Sequence, residues 1–203
     1  TFESFVIGPF NELAHAAATA VTQYLGQKYN PLFIYGGTGL GKTHLLQAIG
    51  NAVKKNNPAK KIKYVTTEKF TSEVVTTLRS GSLRPNDMND FKRRWREIDL
   101  LIIDDIQFLS GKEKTQEELF HTFNVLNEAR KQIVFSSDRH PKSIQNIEER
   151  LRSRFEGGMV ADISYPDLET RIAIIKSKAS EKGFQTTNDV FEYIAENIKK
   201  NVR

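Results

Sequence analysis

Residues 36 to 43 read Gly36-Gly37-Thr38-Gly39-Leu40-Gly41-Lys42-Thr43 and match the pattern G-x-x-x-x-G-K-[ST]. The flanks agree with the motif. Pro31-Leu32-Phe33-Ile34-Tyr35 before it is an apolar run suited to a buried strand, and His44-Leu45-Leu46-Gln47-Ala48-Ile49-Gly50 after it continues as a helix. Glycines in such a loop carry no Cβ, so successive backbone N–H groups can turn inward around a polyphosphate. The helix starting near Gly41 directs its positive end at the same anion. Lys42 is long enough to reach β- and γ-phosphates, and the Thr43 hydroxyl is placed to ligate Mg²⁺. The expectation is a nucleoside triphosphate site formed by Gly37, Thr38, Gly39, Leu40, Gly41, Lys42, Thr43 and His44.

The 203 residues suffice for one large domain, or for one domain and a small appendage. No apolar run approaches the roughly 18 residues that span a bilayer, and Thr1-Phe2-Glu3-Ser4-Phe5 has no secretory pattern. Cysteine is absent, which excludes disulfides and thiolate metal sites and fits a reducing cytosol. The net charge is +5, with Lys54, Lys55, Lys60, Lys61 and Lys63 in one acid-free stretch and Arg84, Lys92, Arg93, Arg94 and Arg96 in another. Such a balance favours polyanionic partners, nucleic acid above all. For the lysines alone, a solvated helix face and a turn at Asn56-Asn57-Pro58 is the simpler expectation.

Around the loop, strand and helix patterns alternate. Helical spacing covers Asn11–Tyr24, Thr67–Leu78, Asp90–Arg96, Thr115–Ala129 and Ser143–Phe155. Strands are expected at Lys61–Val65, Leu100–Ile103, Gln132–Ser136 and Met159–Ile163, in addition to the one before the loop. Leu83 to Asp87 should break the chain. Short connections between alternating elements imply βαβ units, hence an α/β fold with a five-stranded parallel sheet flanked by helices, a P-loop NTPase. After Pro166 only helices are expected, at Leu168–Lys182 and Asn188–Lys199. A boundary near Tyr165-Pro166 would then separate residues 1–165 from the start of a small helical lid, residues 166–203, which looks incomplete where the sequence stops.

About 60 residues after the loop, Leu101-Ile102-Ile103-Asp104-Asp105 forms an apolar strand ending in two carboxylates. The C-terminal ends of parallel strands open onto the ligand crevice. Asp104 would face the Mg²⁺ held by Thr43, and Asp105 would orient or deprotonate an attacking water. The fourth strand ends Ser136-Ser137-Asp138-Arg139; as a neighbour of the carboxylate strand it would place one of these polar groups near the γ-phosphate, which favours a phosphate-sensing group over a turn or helix cap. Arg150 and Arg154 lie at i and i+4 on one helix face. Spacing alone leaves two readings open, salt-bridged surface groups or an arginine finger reaching a neighbouring subunit.

Taken together, GGTGLGKTHLLQAIGN, LLIIDDIQFL, ELFHTF, FSSDR and RLRSRF resemble the AAA+ domain of the DnaA family of bacterial chromosomal replication initiators. The ATPase motifs are shared by many AAA+ proteins; Asp104-Asp105-Ile106-Gln107-Phe108 with Phe120-His121-Thr122-Phe123 is more particular to initiators. The resemblance implies ATP- or ADP-binding with Mg²⁺, weak ATPase activity, head-to-tail assembly on origin DNA, duplex melting and recruitment of the replicative helicase. It further implies an adenine pocket at Val6, Ile7, Gly8 and Asn11, sensor one at Asp138, a sensor-two arginine at Arg203, and an intersubunit finger at Arg154 supported by Arg150. An initiator-type helical insertion would span roughly Thr66 to Arg96. Single-stranded DNA contacts would fall on Val75, Lys112, Lys114 and Thr115. The family's duplex-reading helix-turn-helix has no counterpart in these residues, so recognition of a specific origin sequence is not expected from them.

Two other functions compete. A related helicase loader would grip a helicase instead of an origin; the insertion and the Phe120–Phe123 segment favour the initiator. A GTPase or small-molecule kinase is disfavoured, because no Asn-Lys-x-Asp guanine motif and no arginine-rich lid occur.

Overall fold

The computed structural model describes residues 1–81, 91 and 93–198. The expected chain break at Leu83 to Asp87 and the sensor-two position Arg203 lie outside the described residues. Five parallel strands, β1 (Leu32–Gly36), β2 (Ile62–Thr66), β3 (Leu100–Asp104), β4 (Gln132–Ser137) and β5 (Met159–Ile163), form one sheet in the order β2-β3-β4-β1-β5. Helices α1 (Glu12–Gln23) and α2 (Lys42–Asn56) cover one face. Helices α3 (Thr67–Gly81), α4 (Glu113–Glu128) and α5 (Glu149–Glu156) cover the other.

The strand period of two sorts the core. Leu32, Ile34, Leu100, Ile102 and Val134 pack under α1 and α2, whereas Phe33, Leu101, Ile103, Ile133 and Phe135 pack with Phe70, Phe123 and Phe155. Because β1, β3 and β4 are covered on both sides, their sequences are continuous apolar runs without alternation. Register then aligns the functional ends. Tyr35 pairs with Ser137 and Ile103 with Phe135, so Gly36, Asp104 and Ser136 reach the same edge of the sheet.

Two expected elements differ. The helix expected over Ser143–Phe155 is a 3-10 turn at Pro141–Ser143, then irregular chain, then α5. The Gln116 side chain explains this: its Nε2 donates to the Asn146 carbonyl (2.8 Å) and its Oε1 accepts from the Glu148 N–H (2.9 Å). With those backbone groups taken, and Asn146 at φ 51°, an α-helix cannot run through. The second difference is a one-residue shift at strand ends, β1 running Leu32–Gly36 and β2 Ile62–Thr66.

The lysine-rich stretch is anchored by acids distant in sequence, with Lys61 on Glu97 (2.7 Å), Lys63 on Glu73 (3.1 Å) and Lys60 on Asp99 (3.5 Å). Lys63 also lies 4.1 Å over the Trp95 ring, which meets Phe70 edge-on at 4.9 Å. Residues 93–96 are helical, and buried Trp95 docks them against Phe70 of α3 and Lys63 of β2. Beyond β5, helices α6 (Leu168–Glu181) and α7 (Asn188–Asn197) pack on each other, joined by Arg171 Nε donating to the Ala195 carbonyl (2.9 Å). Among the described residues, no helix is long and apolar enough to cross a membrane.

Candidate functional site

The loop between β1 and α2 needs backbone geometry that side chains resist. Gly39 and Gly41 have φ of 79° and 96°, and a Cβ on Gly41 would meet the Phe5 ring at 3.2 Å. Lys42, only 7% exposed, folds back to donate to the carbonyls of Gly36 (2.7 Å) and Gly37 (2.8 Å). Burial lowers its pKa, and the charges of Asp105, Asp104 and Asp138 oppose that shift. An ammonium held by two loop carbonyls can be released to a polyanion that enters the loop.

Thr43 Oγ1 donates to Asp104 Oδ2 at 2.8 Å, joining the first turn of α2 to the end of β3. The same oxygen accepts from the Tyr64 hydroxyl at 2.6 Å, while Oδ1 accepts from Ser136 Oγ and from the Asp105 N–H (3.1 Å). Burial raises the Tyr64 pKa, reinforced by this hydrogen bond and by the charges of Asp104 and Asp105, so Tyr64 stays a donor. A hydroxyl beside a carboxylate is the oxygen-only donor set that Mg²⁺ prefers, and Thr43 with Asp104 fits it.

Asp105 follows in the left-handed region, φ 58° and ψ 52°, with its N–H donating to Ser136 Oγ at 2.9 Å. Its Oδ1 accepts from Gln107 Nε2 (3.1 Å), and Gln107 Oε1 in turn accepts from the Asp138 N–H (3.2 Å). The Asp138 carboxylate is gripped by Arg139 through two bonds of 2.7 and 2.6 Å. That hydrogen bonding lowers its pKa against the opposing effect of burial, helped by the Arg139 and Lys42 charges.

Lys42, Thr43, Asp105 and Asp138 open onto a cavity of about 470 Å³, a size suited to a nucleotide, while Asp104 lies behind Thr43 and is not part of its lining. Val6, Asn11, Thr38, Gly39, Leu40, Gly41, Lys42, Thr43, His44, Asp105 and Asp138 all line it. Asn11 orders the N-terminal segment, donating to the Val6 carbonyl (2.9 Å) and accepting from the Gly8 N–H (3.0 Å). Ile7 and Gly8 are not part of the lining; Ile7 is 50% exposed. Gly37 contributes its carbonyl to Lys42, as above. His44 straps the N-terminus down, its Nε2 donating to the Thr1 carbonyl at 2.9 Å.

Sequence reasoning missed part of the wall. Phe5 and Phe10 close one side, and Ile174, Ser177, Lys178 and Glu181 of α6 close another. The spacing of Phe2, Phe5 and Phe10 was the available signal for the first, since apolar residues ahead of α1 need something to pack on. Tyr64 carried no sequence signal and Gln107 only its place in the 104–108 motif; strand pairing and a turn bring them to the carboxylates.

Arg150 and Arg154 share one exposed face of α5, with their guanidinium groups 4.7 and 5.7 Å from the Phe120 ring centre. Neither lines the cavity. Val75 is 36% exposed on α3, Lys112 is half-buried and Lys114 exposed at the start of α4. Thr115, the remaining expected single-strand contact, is 3% exposed at the same helix start.

The sequence model of the Bacterial DnaA ATPase domain matches residues 1–162. The chromosomal replication initiator protein DnaA of Thermus thermophilus is 56% identical over 203 residues, covering 100% of the chain and 45% of that relative. The chain thus spans less than half the length of this relative. Domain III of the Thermotoga maritima replication initiation protein DnaA superposes with a TM-score of 0.94 at 46% identity, covering 100% of the chain and 82% of that structure. A replication initiator DnaA bound to AMPPCP and single-stranded DNA superposes with a TM-score of 0.90 at 44% identity, covering 100% and 61%. The DnaC helicase loader, at 14% identity and a TM-score of 0.66, shares the fold alone.

Proposed function

The chain belongs to the bacterial DnaA ATPase-domain family, and on that premise we propose that it is the ATP-responsive module of a replication initiator. The observation that carries this is the 2.8 Å contact of Thr43 with Asp104 at the mouth of the glycine loop, with Asp105 next in chain. ATP or ADP lies with its base between the N-terminal segment and α6, where Val6, Asn11 and Ile174 line the cavity, and with its phosphates on the loop. Thr43 and Asp104 would hold Mg²⁺, which would supply neutralisation of the charge on the phosphates. Lys42 binds the β- and γ-phosphates, Asp105 orients or deprotonates the attacking water, and Asp138 senses the γ-phosphate.

Residues 166–203 act as a partial lid over that site. Arg154, outside its own cavity and exposed, serves the nucleotide of a neighbouring copy, with Arg150 supporting the junction. ATP-bound copies thereby assemble head to tail on origin DNA, hold single-stranded DNA through Val75, Lys112 and Lys114, and promote melting. The relative captured with AMPPCP and single-stranded DNA supports both ligands. Hydrolysis is slow and ends the assembled state, because aspartate at position 105 reaches one methylene less far than glutamate would. The replicative helicase is engaged through regions beyond this chain. The helicase-loader alternative rests on fold likeness alone.

Lys42→Ala tests the reading. Calorimetric titration with ATP and Mg²⁺ should show affinity reduced by at least ~10-fold, the loss of charge-assisted bonds to phosphate. Unchanged affinity in the folded variant would remove the nucleotide site. Sedimentation with an ATP analogue, with and without an oligonucleotide, tests assembly.

A further inference from the structure

Gln107 has two hydrogen bonds that no ATPase motif requires. It sits in the 3-10 turn Ile106–Leu109 that follows β3. Ile106 and Leu109 on either side are fully buried, so the backbone at Gln107 cannot drift. Its side chain, half-buried, reaches two groups from different strands. Nε2 donates to Oδ1 of Asp105, at the end of β3, and Oε1 accepts from the N–H of Asp138, just after β4. The amide orientation is settled by its partners, since the reversed amide would set oxygen against carboxylate and N–H against N–H.

We propose that Gln107 is a positioning residue whose amide couples the water-orienting carboxylate of Asp105 to the phosphate-sensing turn at Asp138. The inference rests on the roles given above to Asp105 and Asp138. The donated bond occupies one carboxylate oxygen and fixes the plane of the group, leaving the other oxygen for water. The left-handed backbone of Asp105, pinned through its N–H to Ser136, already limits where that carboxylate can point; Gln107 removes the remaining rotation. Displacement of the Asp138 turn on meeting a γ-phosphate is thus transmitted to Asp105 through a single side chain. Few residues can do this. Glutamate lacks the donor, asparagine is a methylene short, and lysine or arginine has no acceptor for the Asp138 N–H.

Two substitutions separate the two halves of the bridge. Gln107→Met keeps the length and removes both bonds; Gln107→Glu keeps an acceptor for Asp138 and turns the Asp105 side repulsive. Single-turnover hydrolysis at saturating ATP, the ratio of ATP to ADP affinity by calorimetry, and the unfolding midpoint are measured on the full chain. Both variants should hydrolyse ATP at least ~10-fold more slowly. Gln107→Met should also change the ATP-to-ADP affinity ratio, whereas Gln107→Glu should keep it, with both midpoints near the unsubstituted value. Wild-type turnover in both variants overturns the proposal. So does a parallel loss of turnover, selectivity and midpoint in both, which would make Gln107 merely structural. Asp105→Asn is run alongside: wild-type turnover there refutes the underlying role of Asp105, while a slow Asp105→Asn with fast Gln107 variants refutes the coupling alone.

Discussion

The Thr43 hydroxyl and the Asp104 carboxylate meet at 2.8 Å although they come from different βα units, one from the helix after β1 and the other from the end of β3. Tyr64, from the edge strand β2, donates to the same oxygen at 2.6 Å. Asp104 therefore sits under hydroxyl donors that orient it, and its exchange for an amide keeps the shape while removing the charge.

Asp104→Asn should leave nucleotide binding without Mg²⁺ close to the unsubstituted level and weaken the enhancement that Mg²⁺ provides by at least ~10-fold, about 1.4 kcal/mol. Titrating a fluorescent ATP analogue over a Mg²⁺ series measures this. An unchanged Mg²⁺ dependence would take Asp104 out of the metal site.

Arg154→Ala should bind ATP as tightly as the unsubstituted chain, because Arg154 is exposed and outside its own cavity, yet fail to assemble with ATP. Mixtures of variant and unsubstituted protein, followed by sedimentation, should show the defect only at junctions where the variant donates the arginine. A monomer with reduced ATP affinity would place Arg154 in its own site instead.

Lys112→Ala/Lys114→Ala should weaken binding to single-stranded oligonucleotides of any sequence, and flatten its salt dependence by about one unit of log–log slope for each phosphate no longer neutralised. Thr115→Ala should not reproduce this, since Thr115 is buried. Fluorescence anisotropy across a salt series decides it, and a double variant with unchanged slope returns both lysines to the solvated surface.

Asp99 anchors the N-terminal ends of three strands, accepting from Lys131 (2.8 Å), Lys60 (3.5 Å) and the Lys61 N–H (2.9 Å). Burial works against its ionisation, but the Lys131 and Lys61 hydrogen bonds and the two ammonium charges prevail and hold its pKa at about 2, below the usual 3.8. A depressed folded pKa stabilises above the unfolded value and loses that contribution as pH falls through the folded one. Asp99→Asn should therefore cost about 2 kcal/mol at neutral pH, with the difference shrinking between pH 4 and about 2. Urea unfolding at several pH values measures this, and a constant difference across the range would show that the carboxylate charge is not the cause.

The octapeptide 36–43 and the run Leu101–Asp105 determined the fold class and the phosphate end of the site by themselves, because both rest on local requirements. Glycine geometry, an apolar strand covered on both faces and a helix N-terminus are all set within a few residues of chain. The alternation of elements likewise determined a parallel sheet. Which strands become neighbours did not follow from it, and that pairing put Ser136 beside Asp104 and Tyr64 across from it. The irregular chain before α5 was hidden for the same reason: Gln116, some 30 residues away, takes the backbone groups a helix would need. Local pattern reports what a segment prefers on its own, whereas a hydrogen bond between distant segments exists only once the sheet has brought them together. The Gln107 bridge, the aromatic wall at Phe5 and Phe10, and the burial of Thr115 were decided at that later level.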